Sequence, residues 1–262
     1  MNEIIILTGG SSGIGLATVR ELRSRGCRVY ELSRRAVPED PFHISVDITD
    51  DKAVKAAVDD VVRREGRVDA LVNNAGCGIS GAVEFTDPAD SHQLMEVNLF
   101  GMDNAVRAVL PHMRAAGQGR IVSVSSVAGV FAIPFQAWYS ASKAAVLAMT
   151  VALANEVAPY GISVCDVAPG DIRTGFTAAR QKNAAGDDAY GGRISRSVAR
   201  MEHDEQTGMA PEAAGRFIAG IVLKKRVKPH YTIGFSYKLL VFLDRLLPGS
   251  VVRWLLYLLY AR

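Results

Sequence analysis

The chain is poor in the residues that bind metals, with three cysteines and five histidines among its 262 residues. Cys27, Cys77 and Cys165 lie far apart without ligand-like spacing, and the histidines form no metal-ligand pattern either. Cys27 and Cys165 lie in apolar strand-like runs, which is typical of reduced core residues. The composition therefore predicts no metal site.

Charge of either sign is not in excess, because 30 Lys and Arg stand against 27 Asp and Glu, for a net charge of +3. This balance gives no reason to expect nucleic acid as a partner. No charged leader or cleavage site precedes the first apolar run, and no repeat or low-complexity linker divides the chain. With 49% hydrophobic residues, the sequence predicts a single domain, 1–262, in the cytoplasm.

Apolar strand-like runs alternate with helical stretches along most of the chain. Strands are predicted near residues 4–8, 28–32, 43–46, 69–73, 120–125, 162–167 and 230–234. Helices are predicted near residues 13–25, 51–65, 90–115, 138–158 and 211–223. Such alternation is typical of βαβ units. We therefore expect an α/β fold: a doubly wound parallel sheet of the Rossmann type with helices on both faces.

A glycine-rich turn connects the first predicted strand to the first predicted helix. Its sequence is Gly9-Gly-Ser-Ser-Gly13-Ile-Gly15. Glycines allow a backbone to approach a pyrophosphate, whose charge then meets the amides and the dipole of the helix N-terminus. A turn of this kind can also be a simple connector, so its meaning depends on the rest of the chain.

Tyr139 and Lys143 are four residues apart, which places them on one face of a helix. A free phenol titrates near pH ~10, and a neighbouring cation favours phenolate, so we expect Lys143 to lower the pKa of Tyr139. Ser126 ends a β-branched run thirteen residues before Tyr139. A hydroxyl there can face a phenol at the start of the next helix. In isolation, a Tyr–Lys pair of this spacing is more often a helix-surface pair.

Together these residues resemble the short-chain dehydrogenase/reductase family. The resemblance covers most of the chain, in the family's order and spacing, and rests on Thr8-Gly-Gly-Ser-Ser-Gly-Ile-Gly15, Val46-Asp47-Ile48, Asn73-Asn-Ala-Gly76, Asn98, Ser126, Tyr139, Lys143 and Pro169-Gly170 with Thr174. It implies that Tyr139 exchanges a proton with the substrate oxygen, which Ser126 holds. It also implies that Lys143 binds the nicotinamide ribose and that Asn98 positions a water.

The resemblance further implies a nicotinamide dinucleotide cofactor. Its adenine is expected between Asp47 and Ile48, its adenosine ribose above the turn 74–76, and its nicotinamide against the segment 169–174. The complete expected set of contacts is Gly9, Ser11, Ser12, Gly13, Ile14, Gly15, Ser33, Arg34, Arg35, Asp47, Ile48, Asn74, Ala75, Gly76, Tyr139, Lys143, Pro169, Gly170, Ile172 and Thr174.

The end of the second predicted strand favours NADP(H) over NAD(H). An acidic residue there would bind a ribose 2′-hydroxyl and repel a 2′-phosphate. This chain has Ser33 at that place, followed by Arg34 and Arg35, and a guanidinium can hold phosphate with two parallel hydrogen bonds. Glu31 lies two positions too early and is expected within the strand.

The residues around the predicted site are apolar and aromatic, as in 130–138 and at Phe176, which suits a bulky lipophilic substrate. The stretch 175–210 has weak periodicity, and the resemblance implies a substrate lid there. Our first hypothesis is an NADP(H)-dependent oxidoreductase that interconverts a carbonyl and a secondary alcohol on a steroid-like or other lipophilic substrate. A 3-oxoacyl-type ketoreductase of lipid metabolism is the alternative, and a non-catalytic NADPH-binding regulator is the alternative of another class.

Residues 235–262 form an apolar extension that reads as two short helices. Its longest uncharged apolar run, 254–261, is far short of the ~20 residues that span a membrane. The extension resembles that of the hydroxysteroid and retinol dehydrogenase branches. We favour pocket closure and subunit packing as its role, with peripheral membrane contact as the alternative.

The helices near 90–115 and 138–158 carry more apolar positions than one sheet-facing side needs. These positions are Met102, Ala105, Val106, Ala108, Val109, Ala144, Ala145, Leu147, Ala148, Val151 and Ala152. The family resemblance implies that these helices pair across a two-fold axis, which predicts a homodimer or homotetramer. If the C-terminal extension covers them, the chain is a monomer.

Overall fold

The computed structural model describes residues 2–37 and 39–262, and within them the chain forms nine strands. They are β1 (Ile4–Thr8), β2 (Arg28–Ser33), β3 (His43–Ser45), β4 (Ala70–Asn73), β5 (Ile79–Ser80), β6 (Gly119–Val124), β7 (Ile162–Pro169), β8 (Gln181–Lys182) and β9 (His230–Ile233). Seven of them form one parallel sheet in the order β3-β2-β1-β4-β6-β7-β9, and β5 pairs with β8. The doubly wound parallel sheet predicted from the sequence is confirmed.

Ten α-helices accompany these strands in the described residues. They are α1 (Gly13–Ser24), α2 (Asp51–Glu65), α3 (Pro88–Met95), α4 (Gly101–Ala116), α5 (Ala137–Val157), α6 (Phe176–Ala179), α7 (Arg193–Gln206), α8 (Pro211–Val222), α9 (Phe235–Asp244) and α10 (Gly249–Tyr260). The two helices predicted in the C-terminal extension are thus present.

Two apolar cores cover the two faces of the sheet, which explains why its central strands are apolar along their whole length. On one face α2, α4 and α5 pack over residues such as Ile6, Leu71 and Ile121. On the other face α1 and α8 pack over Ile5 and Val122. Helix α5, extended to Tyr160, is long and apolar enough by composition to span a membrane, yet it packs against β7 as part of the first core.

The single helix predicted near 90–115 is interrupted. A π-helical turn, Glu96–Phe100, joins α3 to α4 and contains the buried Asn98. The apolar positions predicted on α4 to face a second subunit, Met102, Ala105, Val106, Ala108 and Val109, are all buried in the chain's own core. These five residues are therefore covered within the chain, and the predicted homodimer or homotetramer stays a prediction.

The stretch 175–210 is not a structureless loop. It contains α6, β8 and the 14-residue α7, which buries Ile194, Ser197 and Met201 along one side. These buried positions are three and four residues apart, so α7 does carry a helical period, and the expectation of weak periodicity is wrong for this part of the stretch. The segment therefore forms an ordered cover whose role as a substrate lid stays a prediction.

Candidate active site

The glycine turn at the carboxyl end of β1 has a geometry that only glycine allows. Gly9 and Gly13 have φ angles of 71° and 54°. A Cβ on Gly15 would overlap the carbonyl oxygen of Gly9 and lie 2.5 Å from Asn74 Nδ2. Ser12 precedes α1, but its side chain makes no capping hydrogen bond. The first-turn amides of α1 therefore face an open, glycine-lined turn that fits an anionic group such as a pyrophosphate.

The ends of β1 and β4 are tied together beneath this turn. Thr8 Oγ1 accepts hydrogen bonds from the amides of Asn74 and Ala75, both at 3.1 Å. Asn74 Nδ2 donates to the carbonyl of Gly9 at 2.9 Å. Sequence reasoning placed Asn74 and Ala75 at the cofactor and included Thr8 in the glycine motif, but it missed the role of the Thr8 hydroxyl in joining the two strand ends.

Glu31 supports the glycine turn from below. Its side chain is buried within β2, and Oε1 accepts a hydrogen bond of 2.8 Å from the amide of Gly10. Its other oxygen pairs with the buried His43. This confirms the prediction that Glu31 lies inside the strand. Both carboxylate oxygens of Glu31 therefore hold partners, which gives this residue a positioning role beneath the glycine turn. Sequence reasoning missed that role.

The residues expected at the adenine end lie together beyond β2 and β3. Arg34 Nη1 lies 4.0 Å from Asp47 Oδ2, and the Arg34 side chain is exposed. A backbone hydrogen bond from Thr49 is the main cause that lowers the pKa of Asp47. Ile48 is buried against α4, where a Cβ on Gly101 would come within 2.7 Å of it.

The structure places Ser126, Tyr139 and Lys143 at one point, because β6 ends beside the start of α5. Ser126 precedes a 3₁₀ turn, and its Oγ accepts a hydrogen bond of 3.1 Å from the amide of Ala128. Lys143 Nζ lies 5.9 Å from the centre of the Tyr139 ring. It also donates a hydrogen bond of 3.0 Å to the carbonyl of Val124.

Burial dominates the titration of this group. It raises the pKa of Tyr139 to about 12, and a hydrogen bond with Ser126 only partly opposes the rise. Burial also lowers the pKa of Lys143 to about 8. The prediction that Lys143 lowers the pKa of Tyr139 is therefore wrong for the chain alone. Desolvation of the phenol outweighs the hydrogen bond with Ser126 and the charge of Arg180, which both lower its pKa, so the phenol is protonated at neutral pH.

Asn98 completes the group from the π-helical turn. Its Oδ1 accepts from the amide of Cys77 at 2.8 Å, and its Nδ2 donates to the Cys77 carbonyl and to Ser142 Oγ, each at 3.0 Å. A Cβ on Gly76 would lie 3.1 Å from Asn98 Oδ1 and 3.5 Å from Lys143 Nζ. Asn98 thus fixes the turn after β4 beside the lysine, and Ser142 is a partner that sequence reasoning missed.

The ordered cover meets the catalytic group through Phe176. Its ring centre lies 5.7 Å from that of Tyr139. Arg180 has a fully buried side chain that pairs with Glu205, which also accepts a 2.5 Å hydrogen bond from Thr177. This buried pair, which the sequence did not single out, joins α6 to α7.

The segment after β7 lies between the glycine turn and the C-terminal helices. Thr174 is near Gly13, since a Cβ on that glycine would meet the Thr174 side chain at 3.5 Å. Ile172 forms an isolated bridge with Met209. A Cβ on Gly170 would overlap the ring of Tyr237 from α9, whose hydroxyl donates to Asp171. The segment expected at the nicotinamide is thus backed by the C-terminal extension.

Comparisons with known proteins find relatives over nearly the whole chain. A family model described as short chain dehydrogenase matches residues 3–185. A 3-ketodihydrosphingosine reductase of Bacteroides thetaiotaomicron is 38% identical over 99% of this chain and 98% of its own length. A dehydrogenase/reductase SDR family member 7B of Xenopus tropicalis is 30% identical over 94% of this chain and 82% of its own.

Solved structures with the same fold include enzymes with a bound dinucleotide. A short-chain dehydrogenase from Streptomyces avermitilis has a TM-score of 0.83 at 30% identity, over 97% of this chain and 96% of its own. ElxO with NADP bound has a TM-score of 0.76 at 26% identity, over 91% of this chain and 99% of its own. The fold likeness therefore extends through nearly the whole chain.

Proposed function

This chain belongs to the short-chain dehydrogenase family, and we propose that it is an NADPH-dependent ketoreductase of lipid metabolism. One observation carries the proposal: Ser126, Tyr139, Lys143 and Asn98 meet beside a glycine-lined turn in a chain that aligns from end to end with a lipid ketone reductase. The proposed reaction converts a ketone on a long-chain lipid into a secondary alcohol. The same residues serve the reverse oxidation.

The chemistry divides between the cofactor and the side chains. When bound, the cofactor supplies the hydride. Tyr139 is protonated at neutral pH and donates its proton to the oxygen that develops negative charge, while the Ser126 hydroxyl donates a hydrogen bond to the same oxygen. Lys143 keeps its charge at neutral pH and holds the region electropositive as the phenol gives up its proton. Asn98 holds the turn that positions the lysine.

The preference for NADPH rests on Arg34 and Arg35, which are exposed beyond β2, and on the engagement of Glu31 with Gly10. The Glu31 carboxylate is buried inside the strand and directed at Gly10 and His43, which makes it a poor acceptor for a ribose hydroxyl. Arg34→Ala should raise KM for NADPH at least about tenfold and leave KM for NADH nearly unchanged, since it removes a phosphate contact. Arg20→Ala, at an exposed position on α1, is the control. Faster turnover with NADH than with NADPH in the parent would contradict the assignment.

The proposed substrate is a lipophilic ketone. Phe131, Phe135 and Trp138 are half-buried and lie in the chain between Ser126 and Tyr139, and we expect them to provide apolar surface for the substrate. The relative at 38% identity favours a long-chain ketone over the steroid-like substrate that was the first hypothesis. A 3-oxoacyl thioester remains the second candidate substrate. It is favoured by the fold that this chain shares with a 3-ketoacyl-(acyl-carrier-protein) reductase from Brucella melitensis, which is 25% identical with a TM-score of 0.73.

A panel assay separates these candidates. NADPH consumption is followed with 3-ketodihydrosphingosine, an acetoacetyl thioester and a steroid ketone at equal concentrations. We expect the highest kcat/KM with the long-chain ketone, and Tyr139→Phe should reduce kcat by about 10³-fold or more while preserving NADPH binding. A higher kcat/KM with the thioester would transfer the assignment to acyl-chain reduction. Binding of NADPH without turnover of any ketone would favour a non-catalytic regulator.

A further inference from the structure

The C-terminal helix pair, α9 and α10, exposes an unusual amount of apolar surface. Among the described residues, sixteen large hydrophobic side chains are exposed, and ten of them lie in 235–262. Phe235 is 85% exposed, Leu246 65% and Trp254 58%. Scattered exposed apolar residues are ordinary, but a concentration of this kind marks a docking surface.

The same segment carries the whole net charge of the chain. Residues 235–262 contain four of the 30 basic residues and one of the 27 acidic residues, so the segment has a charge of +3 and the rest of the chain has 26 of each sign. The four cations are Lys238, Arg245, Arg253 and Arg262. Basic side chains beside exposed Leu, Phe and Trp are the composition of helices that lie on anionic lipid.

The helix pair is held to the body of the protein by a few contacts and is too short to span a bilayer. Helices α9 and α10 have 10 and 12 residues, whereas a span needs ~20. Tyr237 donates a hydrogen bond to Asp171, and Tyr260 donates one of 3.5 Å to Asp204. Within residues 235–262, Val241 and Ala261 are the only buried hydrophobic residues. The pair is thus anchored at both ends and leaves an outer apolar face.

The inner side of α10 borders a cavity of about 450 Å³. Its other wall is the loop 130–134, which lies in the chain between the catalytic Ser126 and Tyr139. The lining is mainly apolar and includes Phe131, Val252 and Leu256. A space of this size accommodates an alkyl chain. One helix therefore has an apolar outer face and borders, on its inner side, an apolar space next to the active-site loop.

We propose that α9 and α10 dock on the surface of a bilayer that contains anionic lipids. The basic residues contact lipid headgroups, and Trp254, Leu255 and Leu259 enter the interfacial layer, where aromatic and aliphatic side chains are stabilised. The cavity behind α10 then lies next to the membrane and receives the chain of a lipid drawn from it. A second copy of the chain is the competing occupant of this face, but its equal positive charge opposes face-to-face pairing.

Vesicle co-sedimentation tests the proposal with the full-length chain and no substrate. We expect weak association with pure phosphatidylcholine vesicles and at least about tenfold stronger partitioning when 30% phosphatidylglycerol is included. Arg245→Gln with Arg262→Gln should remove most of that gain, and Trp254→Ser with Leu259→Ser should weaken binding to both vesicle types. Val83→Ser is the control, since Val83 is 57% exposed but lies far from the extension in sequence.

Equal binding of parent and Trp254→Ser/Leu259→Ser chains, or binding that is indifferent to phosphatidylglycerol, would overturn the proposal. The proposal would also be overturned if Trp254→Ser/Leu259→Ser halved the mass measured by light scattering but left vesicle binding unchanged, because the apolar face would then be a subunit interface. The readout involves no turnover, so docking and ketone reduction can fail separately. The variants should reduce a short, water-soluble ketone at the parent rate.

Discussion

Replacing the buried Lys143 by methionine should make the protein more stable and inactive. Burial lowers the pKa of Lys143 from 10.5 to about 8. A pKa lower by about 2.5 corresponds to roughly 3 kcal/mol of unfavourable free energy for holding the ammonium in the folded chain. The hydrogen bond from Nζ to the carbonyl of Val124 returns about 1 kcal/mol. Lys143→Met should therefore raise the free energy of unfolding by about 1–2 kcal/mol at pH 7.

The effect has a defined pH dependence. Below pH 8 the lysine is charged in both the folded and the unfolded chain, so the full cost is present. Between pH 8 and pH 10.5 the folded chain loses the proton first, and the parent gains stability as the pH rises. The advantage of Lys143→Met should consequently shrink as the pH rises from 7 toward 10.5.

Urea unfolding followed by tryptophan fluorescence at fixed protein concentration measures this difference. Lys52→Met, at an exposed position on α2, is the control and should change the free energy of unfolding by less than about 0.5 kcal/mol. A Lys143→Met chain less stable than the parent at pH 7 would refute the reasoning. A stability difference that is the same at pH 7 and pH 10 would refute it equally, because the cost would not then come from the charge.

Three further predictions concern the glycine turn, Asn98 and assembly. Gly15→Ala should lower the free energy of unfolding by roughly 1–3 kcal/mol and weaken NADPH binding in a fluorescence titration. Gly220→Ala is the control: nothing lies within 4 Å of its added Cβ, so it should raise the free energy of unfolding by about 0.5–1 kcal/mol. Equal effects of the two substitutions would contradict the steric argument. Asn98→Ala removes three buried hydrogen bonds, so it should lower both the melting temperature, by several degrees, and kcat. An unchanged melting temperature would contradict the three hydrogen bonds of the Asn98 side chain. Val151 is 46% exposed on α5 beside other exposed apolar positions, and we expect it to lie in a homodimer interface. Light scattering should give twice or four times 28.2 kDa for the parent and a smaller mass for Val151→Glu. A parent mass of 28.2 kDa would exclude the dimer.

Much of the fold could be predicted because its determinants are local. The strand β1 is an unbroken apolar run, and a strand covered on both faces requires such a run. The glycine turn that follows could be predicted because the steric demand at Gly15 leaves no alternative residue. The order of Asn98, Ser126, Tyr139 and Lys143 along the chain likewise indicated that they meet, since the carboxyl ends of parallel strands share one edge of the sheet.

Other features depend on contacts between residues that are distant in the chain, and they could not be predicted from the sequence. The sequence placed Glu31 within the strand, too early to bind the cofactor ribose, but gave it no other partner, whereas its partners are Gly10 and His43 on neighbouring elements. The pairing of Arg180 with Glu205 joins α6 to α7, and no motif or spacing in the sequence indicates that these two residues meet. The apolar residues of α4 suggested an interface, but whether an apolar face meets its own chain or a second one is decided by packing.

The sequence by itself determined the parallel sheet, the glycine turn and the identity of the reacting side chains, because period, glycine sterics and residue chemistry are properties of short segments. Only the tertiary structure decided the charge states of those side chains. The same Tyr139 and Lys143 on an exposed helix would titrate near their ordinary values, but burial raises the pKa of the phenol and lowers that of the ammonium. Desolvation is a property of the whole surrounding packing, and no spacing of residues along a chain encodes it.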